Sequence, residues 1–266
     1  MGEAGSALRT GLMSAHWNPA GISGADSIQL GAMHAFTTSD SSIEFVGTMI
    51  PAGRMGNFAL SAVLLRIDPM DRMDYEGNLI GDYIWREWAL TGTWGREAFN
   101  GLHAGLAVKM IRKEEKDPLL GDSSGTAFAF DTGIIYEPEF LPGLSWGVSV
   151  LNSGDGIRMK GSPVKDKLPG VFRTGVSYLY EPVIFSAELA RPRGSGWEPG
   201  VGAELRYTEN LYLRGGYYDR EGNISGVTYG AGFQYNILSI DWANLPAGEM
   251  LGATRENRFS VVVSFK

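Results

Sequence analysis

The stretch "VTYGAGFQYNI", Val227 to Ile237, alternates in residue type at every step. One set of positions is apolar or aromatic and the other is small or polar: Val227, Tyr229, Ala231, Phe233, Tyr235 and Ile237 against Thr228, Gly230, Gly232, Gln234 and Asn236. Because successive side chains of a β-strand point to opposite faces, this pattern predicts a strand with one apolar face. A soluble sheet with one wet face and a membrane barrel both fit the alternation.

The same pattern recurs along the chain. From Asp26 onward, about fourteen strand-like segments are separated by clusters of Gly, Pro, Asn, Asp or Ser, which indicate turns. Aromatic residues near the predicted strand ends, such as Trp88, Trp94, Trp146 and Trp242, are typical of the girdles at membrane interfaces. The chain lacks any helical segment that could cover a soluble core of this size.

Loop length differs between the two ends of the predicted strands. Connections at one end are short, as in "PAGR" and the near-direct join at Asn236-Ile237. Those at the other end are mostly longer and rich in charge and glycine, above all residues 68–82, 112–125 and 152–168. Sandwiches and propellers have no reason for this asymmetry, whereas outer-membrane barrels show it. We therefore predict an all-β fold, with an antiparallel transmembrane β-barrel of about fourteen strands over residues 26–266.

The small or polar faces give candidate lumen residues of both charge signs. They are Glu44, Lys109, Asp131, Arg173, Glu188, Glu204, Arg206, Arg214, Asp241 and Arg258, together with His103, Glu198, Gln234 and Asn236. A lumen of one sign would suggest selective ion conduction, whereas interleaved acids and bases more often pair with each other or hold a plug. A solvated structural network is the simpler interpretation.

The second and third strands are exceptions because both of their faces are largely apolar. Apolar lumen candidates here are Val46, Ile50, Val63 and Leu65. Something apolar should lie against them, either the N-terminal segment, a hydrophobic ligand, or a partner chain reached through a lateral opening. We favour the N-terminal segment, because it is present in the chain.

The segment "SAHWNPAGIS", Ser14 to Ser23, breaks the alternation. Pro19 biases Asn18 toward extended geometry, and Gly21 permits a tight bend. We interpret residues 1–25 as a hatch or plug that turns into the barrel, and we expect Trp17 to lie against the apolar inner faces of the early strands. The hatch motif consists of Trp17, Asn18, Pro19, Ala20 and Gly21.

The stretches "MGEAGSALRTGLMSAHWNPAGIS", "LPGVFRTGVSYLY" and "DWANLPAGEMLGATRENRFSVVVSF" resemble PorV/PorQ-type proteins and, more distantly, FadL-type transporters. The resemblance implies a fourteen-stranded barrel with an N-terminal hatch. It departs from the family at Lys266, which follows the aromatic Phe265, and in the lack of a signal peptide before Met1, which we expect to have been removed or left outside this sequence.

Two functions follow from this resemblance. PorV-like relatives bind secreted proteins and their processing partners in type IX secretion, which predicts a protein-interaction scaffold whose long loops recruit secreted or surface proteins. FadL-like relatives pass hydrophobic small molecules through the outer membrane, which predicts a passive transporter with a hydrophobic ligand. A purely structural barrel is the third alternative. All three place the chain in the bacterial outer membrane, in contact with its lipid.

Other functions find little support in the sequence. There is no cysteine, so disulfides and thiolate metal sites are excluded, and His16, His34 and His103 lack metal-ligand spacing. Dispersed basic residues and a net charge of −7 argue against nucleic-acid binding. Spacing alone nominates no catalytic group. We expect no enzyme, no cofactor and no metal site.

Overall fold

A computed structural model describes residues 1–38, 41–220, 224–247 and 255–265. Residues 248–254, part of the last predicted hairpin, and Lys266 lie outside the described residues. The strands are β1 (Ile28–Thr38), β2 (Ser41–Pro51), β3 (Asn57–Ile67), β4 (Met70–Met73), β5 (Leu79–Phe99), β6 (Leu102–Lys116), β7 (Ser123–Tyr136), β8 (Leu144–Gly154), β9 (Val171–Tyr180), β10 (Val183–Pro192), β11 (Glu198–Arg206), β12 (Leu211–Arg220), β13 (Ile224–Tyr235), β14 (Leu238–Pro246) and β15 (Arg255–Phe265).

Fourteen of these strands form one closed antiparallel barrel. Neighbours in sequence pair with each other, β1 pairs with β15, and β3 pairs directly with β5. Closure leaves none of the fourteen as a free edge, so each backbone donor and acceptor can find a partner within the wall. The predicted fold class is confirmed.

Strand β4 lies outside this ring, since it pairs only with the first residues of the long strand β5. Residues 68–82, predicted as a loop, therefore form a β-hairpin that continues the wall beyond the barrel. The prediction for residues 112–125 was also too wide, because β6 extends to Lys116 and β7 begins at Ser123. The charged residues in these stretches were interpreted as loop residues. A strand that extends beyond the membrane can carry charged side chains, because lipid does not cover it.

The two ends of the barrel differ in their connections. At one end, which we call the turn end, adjacent strands are joined by short turns such as Glu181–Pro182 and Asn236–Ile237. At the opposite end, the loop end, the connections include the β4–β5 hairpin and residues 155–170. Within the described part of the chain no helix is long and apolar enough to span a membrane.

Strand register fixes which side chains face inward. On β1, Gln29 and Gly31 contact the N-terminal segment, while Leu30 on the opposite face is 47% exposed. Because Gln29 pairs with Met49, and Met49 with Ala59, the odd-numbered residues of β2 and β3 face inward. The register therefore places Val63 and Leu65 on the inner wall.

Three predicted lumen residues lie on the outer wall. Val46 and Ile50 are even-numbered residues of β2, 59% and 50% exposed, and the inward apolar residues of that strand are Ile43, Phe45 and Met49. Alternation could not choose between two apolar faces of one strand, so the choice of Val46 and Ile50 was wrong. Glu44 also faces outward, opposite His34, whose Nδ1 lies 2.6 Å from a Glu44 carboxylate oxygen. Glu44 therefore has a polar partner on the outer face of the wall.

Candidate functional site

The N-terminal segment, residues 1–25, lies inside the barrel. Its residues 7–25 lie against the inner wall near the turn end, and Glu3 contacts Arg220 at the loop end of β12. It contains two short 3-10 helices, Leu12–His16 and Pro19–Gly24. Its contacts reach β12 at Gly2, β10 at Gly5 and Ser6, and β5 and β6 around the second helix. The segment therefore runs around most of the inner circumference instead of touching one side only.

Inward-facing glycines make room for this path. A Cβ atom at Gly147 would overlap the Ser6 carbonyl oxygen, and one at Gly105 would overlap the Pro19–Ala20 peptide. Several of these glycines are cross-strand neighbours, so together they form a continuous depression in the wall. The inner-wall glycines that approach the segment in this way include Gly95, Gly105, Gly133, Gly147, Gly175, Gly200, Gly202 and Gly216.

Asn18 of the hatch motif is completely buried and joins the segment to two strands. Its Nδ2 donates to the carbonyl oxygens of Ser6 at 2.8 Å and of Ile134 at 3.0 Å, while its Oδ1 accepts the Ala20 N–H at 3.0 Å. Asn18 is extended, as expected before proline, and Pro19 occupies the first turn of the second 3-10 helix. Ala20 and Gly21 are buried in that helix.

Trp17 lies on a different side of the lumen from the one predicted. Its ring packs against Gly5, its carbonyl oxygen accepts the Ser149 hydroxyl of β8 at 2.7 Å, and His16 contacts the ring edge-on at 4.9 Å. The apolar inner faces of the early strands are instead covered by Leu12 and Ile22. The ring fits there because Gly5 has no side chain to exclude it and Ser149 binds the Trp17 carbonyl oxygen, and the local motif indicates neither contact.

Glu188 of β10 anchors the beginning of the segment. Its carboxylate accepts the Gly5 N–H at 3.0 Å and the Ser6 N–H at 2.8 Å, and it forms an ion pair with Arg173 of β9. All of these groups are almost completely buried. These two backbone donors, of which the Ser6 N–H would otherwise be unpaired, thus fix the direction in which the segment enters the lumen.

Glu3 forms the second charged anchor. Its carboxylate pairs with Arg220 of β12 and, at 3.1 Å, with Arg258 of β15. Burial alone would raise the pKa of Glu3, but the two arginines outweigh it and lower the pKa to about 2. Glu3 is therefore ionised at every physiological pH.

Most of the other predicted polar lumen residues form further ion pairs on the inner wall. Lys109 pairs with Asp131 at 2.7 Å and donates to Asn152 Oδ1 at the same distance. Arg214 binds both Glu204 and Asp241, and Arg206 lies over the ring of Tyr212. Apart from Arg206, these acids and bases are thus paired with each other.

The opposite side of the lumen is apolar. Leu12 and Ile22 of the segment form a buried cluster with Met49 of β2 and Ala59 of β3, and Phe45 packs against it. Ile43, Val63 and Leu65 continue this surface toward the loop end and are half-buried. We call Ile43, Phe45, Val63 and Leu65 the apolar strip.

At the loop end, part of the connection between β8 and β9 folds inward. Ile157 and Leu168 are buried against Ala127 and Ala129, which face the lumen on β7. Residues 152–168, predicted to reach out toward partners, thus lie partly against the inner wall of the mouth. Among the described residues, no group of three His, Cys, Asp or Glu side chains is placed to hold a metal ion.

The sequence analysis missed several residues that hold the N-terminal segment in the lumen. These are the inner-wall glycines, Glu3, Arg220, and Asn57, whose Nδ2 donates to the Ile22 and Ala25 carbonyl oxygens. Glycines recurring on the small face of successive strands, as in "PGVGAELRY", carried a usable signal. The long-range ion pairs carried none, because no local pattern brings residue 3 to residue 220.

Solved structures give the comparison that bears on this arrangement. The Ralstonia pickettii toluene transporter TbuX is similar over 100% of this chain and 97% of that chain, with a TM-score of 0.71 and 14% identity. The Pseudomonas putida toluene transporter TodX matches over 99% and 95%, with a TM-score of 0.67 and 14% identity. A FadL homologue of Pseudomonas aeruginosa matches over 98% and 96%, with a TM-score of 0.63 and 13% identity.

The chain has a FadL-type fold. At these sequence identities the similarity concerns the fold alone. The N-terminal segment and the apolar strip described above lie inside a barrel of this type. No protein-family model and no curated protein matches the chain in sequence.

Proposed function

We propose that this protein is an outer-membrane channel for the passive passage of hydrophobic small molecules, closed at the turn end by its N-terminal segment. The observation that carries the proposal is the apolar strip. It lines the lumen from the loop end down to Leu12, so a hydrophobic compound has an apolar surface to follow to the segment.

The remainder of the inner wall supports the same interpretation. Apart from Arg206, the charged residues named above on this wall are engaged with each other or with the N-terminal segment, as at Arg214 and Glu188. Paired charges offer little to a permeating ion, since each already has a partner. The two toluene transporters of similar fold carry hydrophobic compounds, in keeping with this route.

The secretion-scaffold function rests on the resemblance of the N-terminal and C-terminal motifs and on the loops. None of the solved structures described above is a secretion protein. The long loop over residues 152–168 also directs Ile157 and Leu168 inward, which leaves less apolar surface for a partner. We therefore place the scaffold second to the channel.

Uptake of a hydrophobic compound such as toluene by cells or proteoliposomes tests the proposal. The double variant Val63→Asn and Leu65→Asn makes the strip polar, whereas Thr91→Asn, a neighbouring inner-wall position that is already polar, is the matched control. We expect uptake to fall several-fold in the double variant only, because its amide groups replace the apolar contact that a hydrophobic compound would make along the strip.

Equal uptake by the double variant, the control and empty membranes would contradict a channel of this kind. Co-purification of a secreted protein that is lost on changing residues 158–167, with no uptake at all, would favour the scaffold instead.

A further inference from the structure

A group of arginines lies on the outer wall at the loop end of β3, β5 and β6. Arg66, Arg86 and Arg112 occupy positions whose side chains point away from the lumen, since their strand neighbours Leu65, Glu87 and Lys113 face inward. Arg66 and Arg86 are exposed. A cationic group on the surface that meets lipid is costly unless an anion accompanies it.

Arg66 and Arg86 are direct cross-strand partners. Like charges in this position repel each other, because the Cβ atoms of such pairs lie about 5 Å apart. Nearby carboxylates offset this only in part. Glu114, on the other side of Arg86, accepts from Arg112 Nε at 2.6 Å, and Asp68 lies 3.6 Å from Arg66, with both side chains more than half exposed.

The position of Arg66 and Arg86 along the membrane normal matches a membrane interface. Phe58 and Trp94 form an outward aromatic pair near the turn end of β3 and β5, and Trp88 lies one outward position below Arg86. From Phe58 to Arg66 the strand covers about 26 Å, or about 20 Å along the membrane normal at the usual strand tilt. The apolar band of such barrels is about 25 Å tall, and arginine side chains extend toward the polar boundary.

We propose that Arg66 and Arg86 bind a phosphate group of a lipid headgroup in the leaflet at the loop end. Guanidinium groups bind phosphate oxygens in a bidentate manner, and a dianionic phosphate between two arginines turns their repulsion into attraction. The site lies on the outside of the wall, so it is independent of the proposed channel and holds whether or not the lumen conducts.

Native mass spectrometry of the full chain, released from nanodiscs, tests this site. The nanodiscs contain a phosphorylated glycolipid, the same glycolipid without phosphate, or phosphate-free lipid with added inorganic phosphate. The variant Arg66→Gln with Arg86→Gln removes the site, and Arg54→Gln, an exposed arginine in the turn between β2 and β3, is the matched control.

We expect the phosphorylated lipid to remain bound to the parent chain and to Arg54→Gln. The double variant should retain about tenfold less, since it loses the charge-assisted hydrogen bonds from both guanidinium groups to the phosphate. Equal retention of the dephosphorylated lipid, or equal loss in Arg54→Gln, would overturn the proposal. Binding of inorganic phosphate alone would also overturn it, by assigning the site to a free anion instead of a headgroup.

Discussion

The two sides of the lumen hold the N-terminal segment by different means. On one side Glu188 and the Arg220–Glu3–Arg258 group bind its first six residues through charge and hydrogen bonds. On the other side the side chains of Leu12 and Ile22 are held by burial in an apolar cluster, and their backbones form one hydrogen bond each, to Gln29 and Asn57. Ion pairs fix direction and respond to pH through their ionisable groups, whereas apolar contact fixes position and does not respond to pH. A segment held in both ways has a polar end that can be released separately from its apolar middle.

Replacement of the polar anchor should have the largest effect. Glu188→Ala leaves Arg173 buried without its partner and the Ser6 N–H without its acceptor, while the Gly5 N–H keeps only the Glu3 carbonyl oxygen. We expect the free energy of local opening to fall by about 3–5 kcal/mol, seen as a more than hundredfold faster hydrogen exchange of residues 1–6.

Asp155→Ala is the control for this change, because its ion pair with Lys165 is exposed and contributes about 1 kcal/mol or less. Unchanged exchange in Glu188→Ala would show that charge does not hold the segment.

Leu12→Ala tests the apolar side. Leu12 is fully buried, and its removal leaves a cavity beside Met49, so the local stability of residues 11–17 should fall by about 2–4 kcal/mol. Protection of Gly5 and Ser6 should persist, in contrast to Glu188→Ala. If both ends of the segment loosen together in hydrogen exchange, the two sides do not act separately. Leu141→Ala, a partly exposed turn residue, serves as the control.

Asn18→Ala should have an intermediate effect. It removes the cap of the second 3-10 helix and the bonds to Ser6 and Ile134, at a cost of about 1–2 kcal/mol. Urea unfolding of the barrel, followed by tryptophan fluorescence, should change little, while exchange around residues 18–22 accelerates. Asn100→Ala in an exposed turn gives the comparison, and an equal response in both variants would remove the anchoring role of Asn18.

Of the four predicted effects, the response to pH should be the smallest, because it is absent near neutral pH. Because the pKa of Glu3 is lowered from 4.5 to about 2 in the folded protein, its stabilisation is fully present above about pH 4.5 and is lost as the pH falls toward 2. Opening of residues 1–6, from hydrogen exchange corrected for intrinsic rates, should therefore be constant from pH 7 to 5 and increase below pH 4. Glu3→Gln should abolish this dependence, and a dependence retained in Glu3→Gln would assign it to another group.

The sequence predicted the strands of the barrel wall more accurately than the contacts inside the lumen. Alternation and loop length sufficed for fourteen strands, because the lipid and the lumen impose opposite demands on successive side chains. They failed at Val46 and Ile50, where both faces of β2 are apolar and only the register with β1 decides. They could not place Trp17 beside Ser149 or Glu3 beside Arg220, since such contacts depend on closure of the barrel and have no local pattern.

The central claim is that the N-terminal segment lies within the lumen, and thiol accessibility tests it most directly. The chain has no cysteine, so single cysteines can be placed without background. Ala7 is buried inside the barrel, whereas Met55 is exposed in a turn at the same end. In folded protein reconstituted in membranes, Met55→Cys should react rapidly with a polar maleimide and Ala7→Cys should stay unmodified until the barrel is unfolded. Equal reaction rates at the two positions would contradict the account.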